Sequence, residues 1–512
     1  MPENRVSRRR FLTAASATAA SLTILPRAAL GGQSLPAASD RVNLAIIGAG
    51  GRGANMATEL LTGGHNLVAL ADIDLAGMDA RIARSTRNAQ GQPNEARLKL
   101  QDAYARAERF TDFRRLLERR RDIDGVVIAT PDHTHAIIAK TAMELGKHVY
   151  VEKPMTWSVS EARLMRDVAK RTGVVTQMGN QGQSTNGARL INEWIQAGLI
   201  GNVREVHLST DRPIWPQGVP RPAQNAAALT ATSYTSQLPA PPGSQGAGND
   251  WTPPRRVAQE VGRALSTHHA APAGIEWDLF LGPAPVVPYH PIYHPFNWRG
   301  WVDWGTGAVG DITAHTLNHV YWALDLQYPE TVEATSSPFG LDESGAPASY
   351  PAAMEVVFRY PASGARQPVT IYWRDGGLWA PRPQGLPDGV NHRRAAIIIG
   401  DKGILMHDAY GNNPQLFPES LREAAAKVPE KYARVPGELH AMNWANAIRN
   451  RTKATADFEY TSRLTENMLL GIVALRTGQG VQIKYDGQTG MVTNNPAANQ
   501  YLTREYRRGW TL

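Results

Sequence analysis

The chain has 512 residues, 20% of them charged and 42% hydrophobic, enough length for roughly two to four domains and too apolar for a disordered chain. It has no cysteine, which excludes disulfides, thiolate nucleophiles, cysteine-ligated zinc and iron–sulfur clusters. Of the formal net charge of +8, residues 1–39 supply +4 (five arginines against Glu3); the +4 that remains is too weak an excess to argue for nucleic acid.

Residues 1–39 read as an address. Ser7-Arg8-Arg9-Arg10-Phe11-Leu12 is followed by an uncharged stretch of 16 residues from Phe11 to Pro26. That is shorter than the roughly 20 residues needed to cross a bilayer. A basic start, a modest apolar region and small residues make a signal peptide, and paired arginines before Phe-Leu resemble the twin-arginine export signal. The expectation is export to the periplasm in the folded state, with cleavage between Ala28 and Ser39. No later stretch of about 18 apolar residues exists, so no membrane insertion is expected after cleavage.

Val42–Ile47 is an apolar, β-branched run that reads as a buried strand. Gly48-Ala-Gly50-Gly-Arg-Gly53 follows at once, and then a helical segment from Ala54 to Leu61. This is the order a dinucleotide site requires. Gly48 permits the tight turn, Gly50 lets backbone approach the pyrophosphate, and Gly53 lets helix pack on strand. Leu67–Ala71 is the second strand, and Asp72 ends it, 19 residues after Gly53. An acid there bonds ribose hydroxyls and repels a 2′-phosphate, which argues for NAD over NADP; the same Asp could also cap a turn.

A helix is predicted from Asp112 to Arg121, and Gly125–Ala129 as the next strand. Thr130, Pro131 and His135 come after it, where the loops of a parallel sheet border the ligand. His133 and His135 have one residue between them and no third ligand nearby, so no metal is expected. A helix over Ala136–Leu145 stops at Gly146. His148–Val151 is a further strand, delivering Glu152-Lys153-Pro154 to the same crevice. Ser158-Val-Ser-Glu161 is a capping box, opening a helix that ends at Gly173.

Gly48-x-Gly50-x-x-Gly53, Ala129-Thr-Pro131-Asp-x-x-His135 and Glu152-Lys153-Pro154 together resemble the Gfo/Idh/MocA family. Gly305-x-Gly307-x-x-Gly310-Asp311-x-x-x-His315 looks like the second catalytic motif of that family. The resemblance covers about residues 41–485. It implies a nicotinamide-dependent oxidoreductase for sugars, inositols or related polyols. It also implies a Rossmann doubly wound parallel sheet, followed by an α/β domain on a large, mostly antiparallel sheet that often forms a homo-oligomer interface. Glu152 and Lys153 then join the glycines, Asp72, Thr130, Pro131 and His135 as cofactor-binding candidates. The expected division is 40–155 for the Rossmann domain, 156–485 for the substrate domain and 486–512 for a C-terminal tail.

Carbinol oxidation needs a base for the hydroxyl proton and a donor to steady the developing alkoxide. Lys153, at a strand end, can reach a hydroxyl; it would also suit an exposed turn. Asp311 and His315 are four apart in a run that reads helical from Asp311 to Leu324, which puts them on one face. By the resemblance, His315 is the proton acceptor and Asp311 its helper or a substrate ligand. Asp311 after Gly310 would equally serve as a helix N-cap. Thr313 and Asn318 stand where the family more often has Gly and Asp. His319 forms an i, i+4 pair with His315, but no carboxylate stands at ligand spacing.

Val174–Met178 reads as a strand leading to Asn180 and Gln181, and Asn186–Gly198 as a helix. Residues 213–274 hold ten prolines and little periodicity, and read as an irregular insertion. Trp298 and Arg299 are candidates for stacking on a sugar face and bonding its hydroxyls or a carboxylate; a Trp cluster is also what a domain core contains. Met354–Tyr360 and Val369–Arg374 read as strands, Ala396–Ile399 with Gly400–Gly403 as a hairpin, and Leu439–Arg449 and Thr461–Thr477 as helices. The expected function is NAD-dependent hydride transfer on a sugar, polyol or glycoside, with the cofactor tightly retained. The alternative is an NAD-dependent, redox-neutral glycoside hydrolase of the α-N-acetylgalactosaminidase type.

Overall fold

A computed structural model describes residues 36–222, 265, 269–342 and 344–512. The expected signal peptide lies almost wholly outside these residues, as does most of the 213–274 insertion. The N-terminal half is a six-stranded sheet of β1 (Asn43–Ile47), β2 (Asn66–Ala71), β3 (Glu108–Phe110), β4 (Gly125–Ile128), β5 (His148–Glu152) and β6 (Thr176–Gly179). Its strand order is β3-β2-β1-β4-β5-β6 and every pair is parallel. The central strands are apolar on both faces because helices cover both. These helices are α1 (Arg52–Thr62), α2 (Leu75–Ser85), α3 (Glu95–Arg106), α4 (Phe113–Arg119), α5 (Asp132–Glu144) and α6 (Val159–Thr172).

Local chemistry sets their ends. Asp74, Asn94 and Asp112 cap α2, α3 and α4 by accepting backbone N–H bonds. Ser158 and Glu161 form the predicted capping box of α6, and Gly173 ends it in the left-handed region at φ 68°. Helix α5 starts at Asp132, four residues before the expected Ala136. Pro131 takes the N-cap position, and Asp132 in the first turn complements the helix dipole. The sheet also passes the expected boundary at 155, since α6 leads back to β6 as its sixth strand.

The chain then crosses through α7 (Asn186–Gln196) to a second sheet. It contains β7 (Val203–Ser209), β8 (Thr331–Ser336), β11 (Met354–Tyr360), β12 (Val369–Arg374), β13 (Ala396–Gly400), β14 (Ile404–His407), β15 (Gln415–Phe417), β16 (Ile483–Asp486) and β17 (Met491–Val492). The order is β15-β14-β13-β7-β12-β11-β8-β16-β17. Only β7 and β12 pair in parallel; the other pairs are antiparallel. Short β9 (Gly340–Leu341) and β10 (Pro347–Ser349) pair apart from it. The β13–β14 hairpin forms as expected, with Gly400 N–H bonded to Gly403 O.

The remaining helices are α8 (Trp277–Leu281), α9 (Gly307–Ala323), α10 (Leu421–Ala425), α11 (His440–Asn450) and α12 (Phe458–Thr477). Helix α12 packs on β8 and β11 and carries α6 and α9 on its other side. Helix α9 is buried on every side from Gly307 to Tyr321, although that stretch includes Asp311, Thr313, His315, Thr316, Asn318 and His319. So many buried polar groups each require a partner, in the protein or in a ligand. It begins at Gly307 (φ 63°), with Thr306 at the N-cap position. Asp311 is thus a full turn inside it, and the N-cap alternative for Asp311 is overturned.

Residues 486–512 are not a free tail. The β16–β17 hairpin is the edge of the second sheet, and the chain then returns over the first domain. Arg507 binds Gly282 O (2.9 Å) and the Asp278 carboxylate, Tyr506 donates to Glu161 (2.6 Å), and the Arg504 guanidinium lies 4.5 Å from the Trp157 ring. No helix among the described residues is long and apolar enough to cross a membrane.

Candidate active site

A cleft opens at the carboxyl ends of β1, β2 and β4, between the first sheet and the segment around Trp298. Its floor is backbone. Gly48 has φ 82°, and a Cβ there would sit 2.6 Å from Ala129 C and O, so β1 can turn beneath β4 only with glycine. A Cβ on Gly53 would meet Gly48 O at 2.3 Å and the Ile46 side chain at 2.9 Å, the close helix–strand contact expected of it. Gly50 donates its N–H to Asp72 Oδ2 (2.9 Å), and Asp72 Oδ1 accepts the Asp74 N–H (3.0 Å). Burial raises the Asp72 carboxyl above its ordinary range; those two N–H groups oppose the shift. No side chain caps the N-terminus of α1 at Gly51, and a Cβ on Gly51 would meet only open space. Uncapped N–H groups at a helix start, over a floor with no side chains, fit a pyrophosphate.

Thr130 and Pro131 line this cleft, but His135 does not. It is buried behind the loop, with Nδ1 2.7 Å from Pro154 O and Nε2 2.8 Å from Thr130 O. It therefore ties the loop after β4 to the loop after β5. Glu152 is also turned inward, paired with Arg52 of α1 (3.0 Å) and bonded by Gln181 (3.1 Å). His133 Nε2 contacts Phe280 O (2.9 Å), and Asp132 accepts from Thr306 (2.6 Å). Two consecutive side-chain anchors, Asp132 and His133, thus join the start of α5 to the other lobe.

Lys153, Asp311 and His315 come together where β5 ends against α9. The Lys153 ammonium donates to the Asp311 carbonyl oxygen (2.8 Å) and to the Asp311 carboxylate. Burial alone would raise the Asp311 carboxyl, but Lys153, Arg299 and Arg212 outweigh it and hold it below its usual range. It stays a carboxylate at neutral pH. His315 is not held by Asp311, although the resemblance offered Asp311 as its helper. Its Nδ1 lies 3.0 Å from Asn180 Oδ1, and its ring packs on Tyr410 at 4.7 Å. Burial, and then the Lys153 charge, lower the imidazole well below its ordinary value, so it is neutral.

Trp298 and Arg299 line the same cleft, while Trp301 and Trp304 are fully buried with Tyr293 in an aromatic core. Asn318 is not free for a ligand: it donates to Gln183 (2.6 Å) and accepts from Tyr460 (2.9 Å). His319 stacks edge-on against His407 at 5.0 Å, and no group of three metal-binding side chains occurs among the described residues. Sequence reasoning missed Arg212, Tyr410 and Trp510. Trp510 lines the cleft beside Phe113, under the Arg114 guanidinium at 4.6 Å. None of these three belongs to a local motif, and only the fold brings them to the site.

Fold and cleft define a two-lobed protein with an NAD-binding Rossmann domain. Residues 42–180 match the Gfo/Idh/MocA model described as an oxidoreductase family, NAD-binding Rossmann fold, and residues 244–346 match the C-terminal alpha/beta domain of the same family. Levoglucosan dehydrogenase of Pseudarthrobacter phenanthrenivorans is 38% identical over 82 residues, which is 16% of this chain and 21% of that protein. A glycosyl hydrolase family 109 protein of Saccharopolyspora erythraea is 34% identical over 168 residues, 32% of this chain and 34% of that protein. The chain thus spans about a fifth to a third of the length of these curated relatives. Among solved structures, a levoglucosan dehydrogenase complex with NADH and levoglucosan superposes at a TM-score of 0.50 with 16% identity, covering 86% of this chain and 99% of that one. The WlbA dehydrogenase of Bordetella pertussis, in complex with NADH and UDP-GlcNAcA, gives 0.50, 16%, 87% and 99%. At that identity these two structures speak for the fold alone.

Proposed function

We propose that this protein is a Gfo/Idh/MocA oxidoreductase that transfers hydride between NAD and a carbinol carbon of a sugar, polyol or glycoside. The observation that carries this is the meeting of Lys153, Asp311 and His315 beside the dinucleotide cleft. With Asn180 Oδ1 accepting from Nδ1, the neutral His315 keeps its Nε2 lone pair, a base placed to take a hydroxyl proton. The Lys153 ammonium has two bonds to Asp311, and a third N–H remains to steady the oxygen that loses that proton. Asp311 holds the ammonium in place. The glycine floor and the start of α1 hold the pyrophosphate, Asp72 the ribose, and Trp298 borders the sugar. Bound NAD supplies the hydride acceptor.

The N-terminal arginine pair supports export by the twin-arginine route to the periplasm, where no NAD pool exists, so the cofactor travels bound. The test is mass spectrometry of extensively dialysed protein for retained nucleotide, followed by incubation with sugars and glycosides while NADH absorbance and sugar release are recorded. Reduction of bound NAD by a carbohydrate supports the reading. Protein that neither binds NAD nor exchanges hydride with any sugar overturns it. The match to glycosyl hydrolase family 109 proteins favours one second reading, redox-neutral glycoside cleavage, which would release the aglycone with no net NADH. The outer face of the nine-stranded sheet is the surface we assign to a homo-oligomer, which light scattering of the purified protein tests.

A further inference from the structure

The carboxylate of Asp311 faces more positive charge than it can balance. Lys153 binds it directly, Arg299 Nε lies 3.7 Å from Oδ1, and Arg212 Nε lies 3.9 Å from Oδ2. These side chains are largely enclosed, with 15%, 24% and 30% of their surfaces exposed. Other charges packed around the group do not correct the imbalance. Arg52 and Glu152 neutralise each other, and His315 is neutral; Asp132, buried and bonded by Thr306, also feels Arg299 and Lys153, so two carboxylates face three cations and one positive charge is left over.

Both guanidiniums keep most of their N–H donors uncommitted within the protein. Arg299 gives one hydrogen bond, from Nη1 to Phe296 O (3.1 Å), and the Arg212 side chain gives none among the described residues. Both face one indole, that of Trp215, at 5.9 and 6.0 Å, and Arg299 lies 4.2 Å from the Trp298 ring. A ring as close as Trp298 is to Arg299 restrains a guanidinium while leaving N–H groups at its edge, where a carboxylate is received bidentately. The backbone is fitted to this arrangement. A Cβ on Gly300 would collide with Pro216 O at 2.2 Å, and one on Gly305 with Arg299 O at 2.3 Å.

We propose that Arg212 and Arg299 form a subsite for a carboxylate on the substrate, so that the preferred substrates are acidic sugars of the hexuronate class. This deepens the oxidoreductase reading and rests on the same site. The substrate carboxylate lies against the two guanidiniums while the carbinol addresses Lys153 and His315. Two free guanidiniums fit a carboxylate better than a hydroxyl, because a hydroxyl does nothing for the surplus charge. The cofactor phosphates are the other anions at hand, but they have their own cradle at α1; Arg299 borders the nucleotide cleft, whereas Arg212 does not line it.

The test compares glucuronate with glucose, and galacturonate with galactose, by calorimetric binding to NAD-loaded protein. The acid of each pair should bind at least about tenfold more tightly, with a preference that shrinks as salt is raised. Arg212→Gln should lose most of that preference with NAD affinity unchanged, and Arg212→Lys should keep part of it. Should Arg212→Gln fold poorly, Arg299→Gln and the salt dependence of the wild type decide. Equal or tighter binding of the neutral sugars overturns the subsite, even where they are oxidised and the oxidoreductase reading stands. Binding of none of the four sugars also overturns it. A loss of NAD affinity in Arg212→Gln with the preference intact assigns the guanidinium to the cofactor and overturns it too. Acid binding that depends on Arg212, with no NADH formed from any sugar, upholds the subsite and removes the oxidoreductase reading.

Discussion

The nucleotide cleft and the polar site beside it are made of different materials. The nucleotide wall is backbone: Gly48, Gly50 and Gly53 lie within six residues, and their value lies in what they lack. The site beside it is side chains: Lys153, Asn180, Arg212, Arg299 and, together on α9, Asp311 and His315 come from five separate segments. A backbone wall recognises a shape common to every dinucleotide. A site of side chains can be altered residue by residue, so substrate preference is free to change while cofactor binding stays.

The largest effects should fall on the side-chain site. Lys153→Ala and His315→Ala should each lower kcat by about 10²–10⁴-fold while nucleotide still binds, as separate turnover and nucleotide titrations would show. Turnover like that of the wild type in either variant would remove that residue from the chemistry. On the backbone wall the contrast is steric. Gly53→Val should cost about a hundredfold in NAD affinity or prevent folding, because its Cβ would meet Gly48 O at 2.3 Å. Gly51→Ala, two residues away, should fold like the wild type, since its Cβ meets no protein atom, and should lose less NAD affinity than Gly53→Val, the loss coming only from crowding of the phosphate site that Gly51 lines. Equal penalties at both positions would mean the floor is not set by close packing.

Asp72→Ser should narrow the preference for NAD over NADP by about tenfold and weaken NAD as well, because Asp72 also holds the Gly50 N–H. Trp510→Ala should raise the NAD dissociation rate only a few-fold, since it removes one wall of the cleft and no hydrogen bond to the glycine turn. The smallest effect belongs to neither. Burial pushes the Asp375 carboxyl up to about 7, against about 3.9 in an unfolded chain. Between those values the folded state binds the extra proton, so this group's contribution to stability falls as pH rises from about 4 to 7. Asp375→Asn should therefore raise Tm at pH 8 relative to wild type and change it little at pH 4.

The difference between the two also explains what the sequence discloses. The glycine turn, Asp72 and the capping box are contiguous, and each residue acts on neighbours a few positions away, so composition and spacing reveal them. Strands β11 and β12 lie where their alternation places them, at Met354–Tyr360 and Val369–Arg374. The start of helix α5 is hidden in the sequence because Asp132-His-Thr-His135 is polar, yet all four residues are buried, Asp132 and His133 against the other lobe and His135 between two loops of its own. The spacing of Asp311 and His315 correctly puts them on one helix. It cannot show that Asn180, 135 residues earlier, bonds the imidazole, or that Arg212 approaches Asp311. The end of the chain carries no periodic signal at all, and its place depends on single contacts, by Arg504, Tyr506 and Trp510 with the first domain and by Arg507 with the residues of and just after α8.

The start of α5 ties the two lobes into one thermodynamic unit. Asp132 reaches Thr306, His133 reaches Phe280, and His135 joins the loops on either side of the cleft floor. A lobe that melted alone would strand those buried polar groups without partners, which costs more than the bonds themselves return. Heating should therefore give one calorimetric transition rather than two. Saturating NAD, though it touches mostly the first lobe, should shift that whole transition upward, with the heat absorbed by the second lobe moving in step.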